Sequence, residues 1–191
     1  KLIAGTDNIS EIHLKATSLL VGSMLSLRTL DIHNLSTVSG SMDVSANARL
    51  ESVDARGTSL TGITLPQQEF LTTMKLPSTF TTLHLDGQRG LAALSLEGYE
   101  KLQKVYINQD TCPKISALDI VNNLKEQSKN LSSLTILGIN WEDVSAETLS
   151  WLLDRQTKLT GRITLSESVA VRATLKMRMV GMWGNIDDES N

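Results

Sequence analysis

Three histidines and one cysteine are the residues of this chain best suited to metal or nucleophilic chemistry. A zinc site needs several nitrogen or sulfur ligands, often two histidines four residues apart on a helix. His13, His33 and His84 show no such spacing, and no cysteine or carboxylate pattern accompanies them. The apolar residues on either side of His13 and His84 instead predict exposed histidines on strands, so we expect no metal site.

Cys112 is the single thiol of the chain and lies in the sequence Asp110-Thr-Cys-Pro113. A cysteine nucleophile needs a positioned base, and the sequence gives no indication of one. We therefore expect a thiol that is buried or placed in a turn. One cysteine also excludes an intrachain disulfide.

Alternating polar residues near the end of the chain, Asn185, Asp187 and Glu189, are similar in spacing to the ligands of calcium-binding loops. The glycine and the distal glutamate of such loops are missing. A polar linker is therefore the favoured interpretation, and a calcium site at a domain junction is the alternative. Phosphate loops, dinucleotide fingerprints, nucleophile elbows and paired carboxylates are also missing from the sequence. We expect a protein that is not an enzyme and has no cofactor.

The charge and hydropathy of the chain exclude two classes of partner. Its 191 residues carry a formal net charge of −3, and the basic residues are scattered. Nucleic-acid binding is not expected, because it requires several basic side chains that converge on phosphates. Direct membrane insertion is not expected either, because no apolar run approaches the roughly 18 residues that span a bilayer.

A six-residue unit recurs along the chain: apolar, two mostly polar, apolar, one polar, apolar. In a strand, alternate side chains face opposite ways, so the last two apolar residues point inward and the residues beside them point outward. The units begin at Ile9, Leu27, Leu50, Leu60, Leu71, Phe80, Leu91, Leu102, Leu131 and, with one extra residue, Leu159.

Two series of these units alternate with one period. The units at 50, 71 and 91 are 21 and 20 residues apart, and those at 60, 80 and 102 are 20 and 22 residues apart. A coil of about 20 residues with two extended faces accounts for both series. One coil buries too few aliphatic side chains to offset the entropy of ordering it, so the coils must stack to be stable.

Outward residues of the central units form the candidate interaction surface. A recognition module should expose a patch of them, whereas a structural module should have them covered by neighbouring proteins. The residues are Thr73, Lys75, Thr82, His84, Lys104 and Tyr106.

The spacing between successive units increases in the C-terminal half. The units at 102, 131 and 159 are 29 and 28 residues apart, and the added residues are apolar at helical spacing. The pattern predicts a helix from Ser116 to Ser128, with Ser116 as N-cap, and another from Ser145 to Gln156. A third helix from Ser168 to Met179 and a closing strand from Val180 to Ile186 are further expectations.

The Leu-x-x-Leu-x-Leu units with Leu-Pro junctions, such as Leu76-Pro77, resemble leucine-rich repeats of the bacterial type over about Leu27 to Leu165. The stretch from Leu65 to Leu85 is similar to repeats in bacterial cell-surface proteins. The phrase Gly138-Ile-Asn-Trp141 resembles modules in large tail proteins of phages that infect gut bacteria. The asparagine that often follows the strand in this family is mostly absent, and Asn108 is the best candidate for it.

These observations predict an α/β solenoid of leucine-rich-repeat coils with parallel strands. The N-terminal half should have two extended faces per coil, and the C-terminal half should consist of helix-containing repeats. We expect a single solenoid over residues 1–186, followed by the start of a linker to a further domain at 187–191. Within it, 1–26 are irregular coils, 27–110 are short β-rich repeats and 111–186 are longer helix-containing repeats.

The resemblance implies a scaffold for recognition or assembly and leaves two functions open. In the first, the chain is a structural and protein-interaction module of a larger protein, a phage tail or virion component. Its partners would be other subunits or domains, a second copy of the chain included. In the second, it is a ligand-binding module of a bacterial cell-surface or secreted adhesin, and one solenoid face recognises a protein or glycan.

Overall fold

The computed structural model describes residues 2–3, 21–139, 143–158 and 163–165, and there the chain winds into a parallel β-solenoid of about four turns. From residue 21 to residue 108, strands follow one another with short turns, and two helices then alternate with the last two strands. The elements are β1 (Leu2–Ile3), β2 (Thr29–Asp31), β3 (Ser39–Asp43), β4 (Ser52–Asp54), β5 (Ser59–Thr64), β6 (Thr73–Leu76), β7 (Thr82–Leu85), β8 (Ala93–Leu96), β9 (Lys104–Asn108), α1 (Ala117–Gln127), β10 (Ser133–Leu137), α2 (Ala146–Lys158) and β11 (Ile163–Leu165).

Alternate strands belong to opposite walls of the solenoid. One wall is a five-stranded sheet in the order β1-β2-β4-β6-β8. The other holds a two-stranded sheet, β3-β5, and a four-stranded sheet in the order β11-β10-β9-β7. Every pairing is parallel, and most neighbouring strands align residue for residue. This arrangement stacks equivalent residues of successive coils into columns.

Aliphatic columns fill the space between the two walls. In the five-stranded sheet, Leu30, Val53 and Met74 occupy the same register position and are at most 1% exposed. Leu83, Val105 and Leu134 form the matching column of the four-stranded sheet and are equally buried, at 2% or less. Inward side chains at every second position explain why the alternating units of the sequence become strands.

The second wall is interrupted between β5 and β7. Thr61 is an extra residue in β5, because Gly40 pairs with Leu60 whereas Ser41 pairs with Gly62. The backbone N–H of Thr81 donates to the Thr61 carbonyl at 2.9 Å, but within the described chain the two strands form no continuous ladder beyond that point. A bulge twists and bends its strand, which accounts for the interruption.

Side-chain amides, two of them buried and one half-buried, hold the turns that follow β3, β5 and β7. Asn47 donates to the carbonyls of Val21 and Met24, and Gln68 donates to Leu50 at 2.8 Å. Gln88, 2% exposed, donates to Pro66 and Asp86. Each of the three amides therefore bonds to the backbone of the preceding coil. Asn108 is the best candidate for the asparagine that often follows the strand in leucine-rich repeats. It lies at the end of β9 and donates to the side chain of Asp86, not to the backbone of the preceding coil.

The two helices begin where the sequence predicts them. Ser116 caps α1 by accepting from the Asp119 N–H at 3.1 Å, and Ser145 accepts from the Thr148 N–H at 3.1 Å. Ile120, Val121 and Leu124 turn one face of α1 into the common core. The helices are joined by an ion pair between Lys125 and Glu147 (2.9 Å) and by a hydrogen bond from Thr148 Oγ1 to Asn122 Oδ1 (2.9 Å).

The structure confirms the expectation of a parallel-strand solenoid, and the part of the chain that it describes includes two helices. Its leucine-rich-repeat character and the domain bounds 1–186 and 187–191 stay predictions. The expected helix Ser168–Met179 and the expected strand Val180–Ile186 lie outside the described residues.

Candidate functional site

The predicted interaction residues are divided between the two walls. Thr73 and Lys75 lie on β6, in the five-stranded sheet. The other four lie on β7 and β9 of the four-stranded sheet, where Thr82 pairs with Lys104 and His84 with Tyr106. The structure thus brings four of the six residues into one patch, which we call the β7–β9 patch (Thr82, His84, Lys104 and Tyr106). In the sequence, the unit at 71 belongs to one of the two alternating series and the units at 80 and 102 belong to the other, so the spacing was consistent with this division although all six residues were grouped as one surface.

The rings of His84 and Tyr106 stack at the centre of the β7–β9 patch. Their centroids are 4.4 Å apart and their planes differ by 12°. Parallel strands hold neighbouring side chains at nearly this spacing, so the backbone places the two rings side by side before any partner binds. Partial burial raises the pKa of the Tyr106 hydroxyl, and the charge of Asp86 raises it further. Tyr106 therefore keeps its proton and can donate a hydrogen bond at neutral pH.

Lys75, on the other wall, belongs to a charge cluster. Its ammonium lies 3.6 Å from Asp54, and the Arg56 guanidinium contacts both oxygens of that carboxylate, at 2.9 and 2.7 Å. Burial alone would raise the pKa of Asp54, but the hydrogen bonds from Arg56 and the charges of Arg56 and Lys75 together lower it. The positive charge of Lys75 is partly neutralised, which makes it a weaker candidate for recognition than Lys104.

A groove of about 410 Å³ opens next to the β7–β9 patch, where the second wall is interrupted. The sequence did not predict it, since it depends on the extra residue in β5. Gly62 contributes no side chain at the groove, and hydroxyl groups come from both adjoining strands. Its lining includes Ser41, Gly62, Thr64, Thr82, His84 and Asp86.

Asp86 is anchored at one end of this groove. Its Oδ1 accepts hydrogen bonds from Thr111 Oγ1 at 2.7 Å and from Asn108 Nδ2 at 3.0 Å. Among the described residues, its other oxygen, Oδ2, accepts none. The carboxylate is therefore fixed in position and keeps an acceptor for a molecule in the groove.

The other residues singled out for their chemistry are Cys112 and the histidines. Cys112 is fully buried, as expected, and burial raises the pKa of its thiol. His84 is exposed as predicted, but His33 is buried after β2 with its Nδ1 against Asp31. Within the described ranges, no three His, Cys, Asp or Glu side chains could hold a metal ion together. His13 and the calcium candidates Asn185, Asp187 and Glu189 lie outside those ranges.

Neither α1 nor α2, the helices of the described chain, has the length and apolarity needed to cross a bilayer. Comparison of the chain with family models, with curated proteins and with solved structures finds no match.

Proposed function

We propose that this chain is a noncatalytic interaction module of leucine-rich-repeat type in a larger assembly, a phage tail or other virion. The β7–β9 patch would contact a neighbouring subunit, or a second copy of the chain. The observation that supports this function is the stacked pair His84–Tyr106, displayed on adjacent strands of a repeated framework.

The β7–β9 patch is organised before it binds a partner protein. Tyr and His present an apolar ring with a polar atom at its edge, so each can bury area and still satisfy its hydrogen bonds. Stacking removes most of the rotamer freedom of both rings in the free protein, which lowers the entropy lost on binding. Tyrosine is also enriched among the residues that dominate binding energy at protein interfaces. Placement in a virion rests on the sequence resemblance.

Lysine labelling of the native particle against the isolated chain tests this function. We expect Lys104, in the β7–β9 patch, to react several times more slowly in the particle. Lys75, on the opposite wall, is the matched control and should react at a similar rate in both. Equal rates for Lys104, or absence of the parent protein from purified particles, would contradict the proposal.

A second function, ligand binding by a bacterial cell-surface or secreted protein, is favoured by the groove beside His84. In that case the parent protein would be found in the cell envelope or the medium. Lys104 would then react equally fast on intact cells and in the isolated chain.

A further inference from the structure

We propose that the groove between β5 and β7 binds a carbohydrate, with one sugar ring packed on the face of His84 that Tyr106 does not cover. The inference goes beyond the protein contact proposed above and rests on the second function, for which it names the ligand class.

One face of the His84 imidazole ring points towards the groove. Strand β7 lies between β9 and β5, and Tyr106 stacks on His84 from the β9 side. In a nearly parallel stack, the opposite face of the imidazole must point towards β5. That is the side on which the groove opens, and His84 is part of its lining. The groove therefore has a flat ring as one wall.

Glycine at position 62 leaves room for a ligand beside that ring. Gly62 lies on the outward register of β5, since its partner Ser41 is outward next to the buried Met42. A side chain at position 62 would stand in the groove, and glycine leaves this space open. The interrupted ladder adds backbone groups of β5 and β7 that do not pair with each other beyond Thr61 and Thr81.

The lining of the groove carries hydroxyl groups and a carboxylate. Hydroxyl groups of Ser41, Thr64 and Thr82 can each donate and accept, and the fixed carboxylate of Asp86 adds an acceptor. A sugar ring has the complementary surface, with hydroxyl groups around its edge and a face of C–H groups that packs on an aromatic ring. Ile63 and Leu65 add apolar area to the lining. A wholly apolar ligand could contact these two side chains but would leave the hydroxyl groups and the carboxylate unsatisfied, at a cost in affinity.

Hydrogen bonds between β5 and β7 exclude an extended peptide inserted between these two strands. Thr81 donates to the Thr61 carbonyl through its N–H at 2.9 Å and through its hydroxyl at 3.2 Å. Thr79 Oγ1 donates to the Leu60 carbonyl as well. These bonds hold β5 and β7 as adjacent strands, whereas an inserted strand would need twice that spacing. A compact ring above the strands fits the groove, and a strand between them does not.

The substitution Gly62→Val tests the inference by adding a side chain at the groove. A Cβ at position 62 would lie 3.5 Å from Ser41 Oγ and 3.9 Å from the Thr82 carbonyl, which are ordinary contacts. Valine is favourable in strands and would fill the groove. Thr73→Val on the opposite wall is the matched control, and His84→Ala removes the ring.

The experiment is a titration of the isotope-labelled full chain with maltohexaose, chitohexaose, mannohexaose and hexagalacturonate, followed by NMR. We expect saturable shifts at Gly62, Thr82 and His84 with at least one of the four. Gly62→Val and His84→Ala should each weaken that binding by about tenfold or more, and Thr73→Val should leave it unchanged. Melting temperatures should show that all three variants are folded.

The inference is overturned if none of the four oligosaccharides gives saturable shifts, if the shifts map elsewhere, or if Gly62→Val binds as tightly as the parent chain. Shifts at the groove with a peptide alone would also overturn it. None of these results bears on the labelling of Lys104 in the particle, so the two proposals fail independently.

Discussion

Gln88 is a polar side chain that the core requires. It lies three residues after the last inward apolar residue of its unit, Leu85, and it bonds to the preceding coil. Gln68 follows Leu65 at the same distance, and Asn47 follows Val44. The family pattern drew attention to asparagine directly after the strand, and so to Asn108. The regular spacing of asparagine and glutamine together was the signal in the sequence that identifies these amides.

The burial of Cys112 leads to a prediction about its reactivity. Burial raises the pKa of the thiol, so little thiolate is present at neutral pH and reagents reach it poorly. We expect Ellman's reagent at pH 8 to react with the folded chain at least about a hundred times more slowly than with the urea-unfolded chain. Similar rates in the two states would show that the thiol is accessible.

The charge cluster at Asp54 predicts a dependence of stability on pH. Because the pKa of Asp54 is lower in the folded chain than in the unfolded chain, the ionised carboxylate stabilises the fold above about pH 4. That stabilisation is lost as the pH falls through the folded pKa. We expect Asp54→Asn to cost about 0.5–1 kcal/mol at pH 7 and progressively less as the pH falls below about 4, measured by urea unfolding. A cost that does not change with pH would contradict this account.

At the scale of elements, features that depend on neighbouring residues could be predicted from the sequence. Features that depend on how two strands pair could not. The N-caps Ser116 and Ser145 were identifiable because capping depends on residues within one turn of the helix. The interruption between β5 and β7 was not, because the six-residue unit from Leu60 to Leu65 looks the same with or without a bulge at Thr61. The two alternating series of units separate Lys75 from Tyr106 in the sequence, whereas the groove beside β7 depends on this bulge and could not be predicted.

Close approach of two turns makes Gly90 a sensitive position. A methyl group there would overlap the carbonyl oxygen of Glu69, which is backbone and cannot rotate away. We expect Gly90→Ala to lower the free energy of unfolding by about 2 kcal/mol or more. Gly22→Ala is the control, since no atom lies within 4 Å of the added methyl group, and it should change stability by less than about 0.5 kcal/mol. Equal costs for the two variants would show that the turns do not approach as closely as described.

At the scale of the whole molecule, each coil depends on its neighbours for a core. The columns through Val53, Met74 and Leu83 are continuous, and the amide of Gln88 bonds across coils. We therefore expect a fragment that ends after Leu65 to remain unfolded, because the buried area of so few coils does not offset their conformational entropy. Circular dichroism of the fragment and of the full chain measures this. A cooperative melting transition in the fragment would contradict it.

The replacement of strands by helices on one wall has a geometric consequence. Neighbouring strands lie about 4.8 Å apart, whereas packed helices such as α1 and α2 lie about 8–10 Å apart. Across a coil about 10 Å thick, we expect this difference to turn each helix-containing coil by about 20–25° relative to the last. Coils built from strands alone should therefore extend the array with little curvature, whereas helix-containing coils should curve it with β9, β10 and β11 on the inner side. The number of helix-containing coils would then set the angle between the two ends of the array.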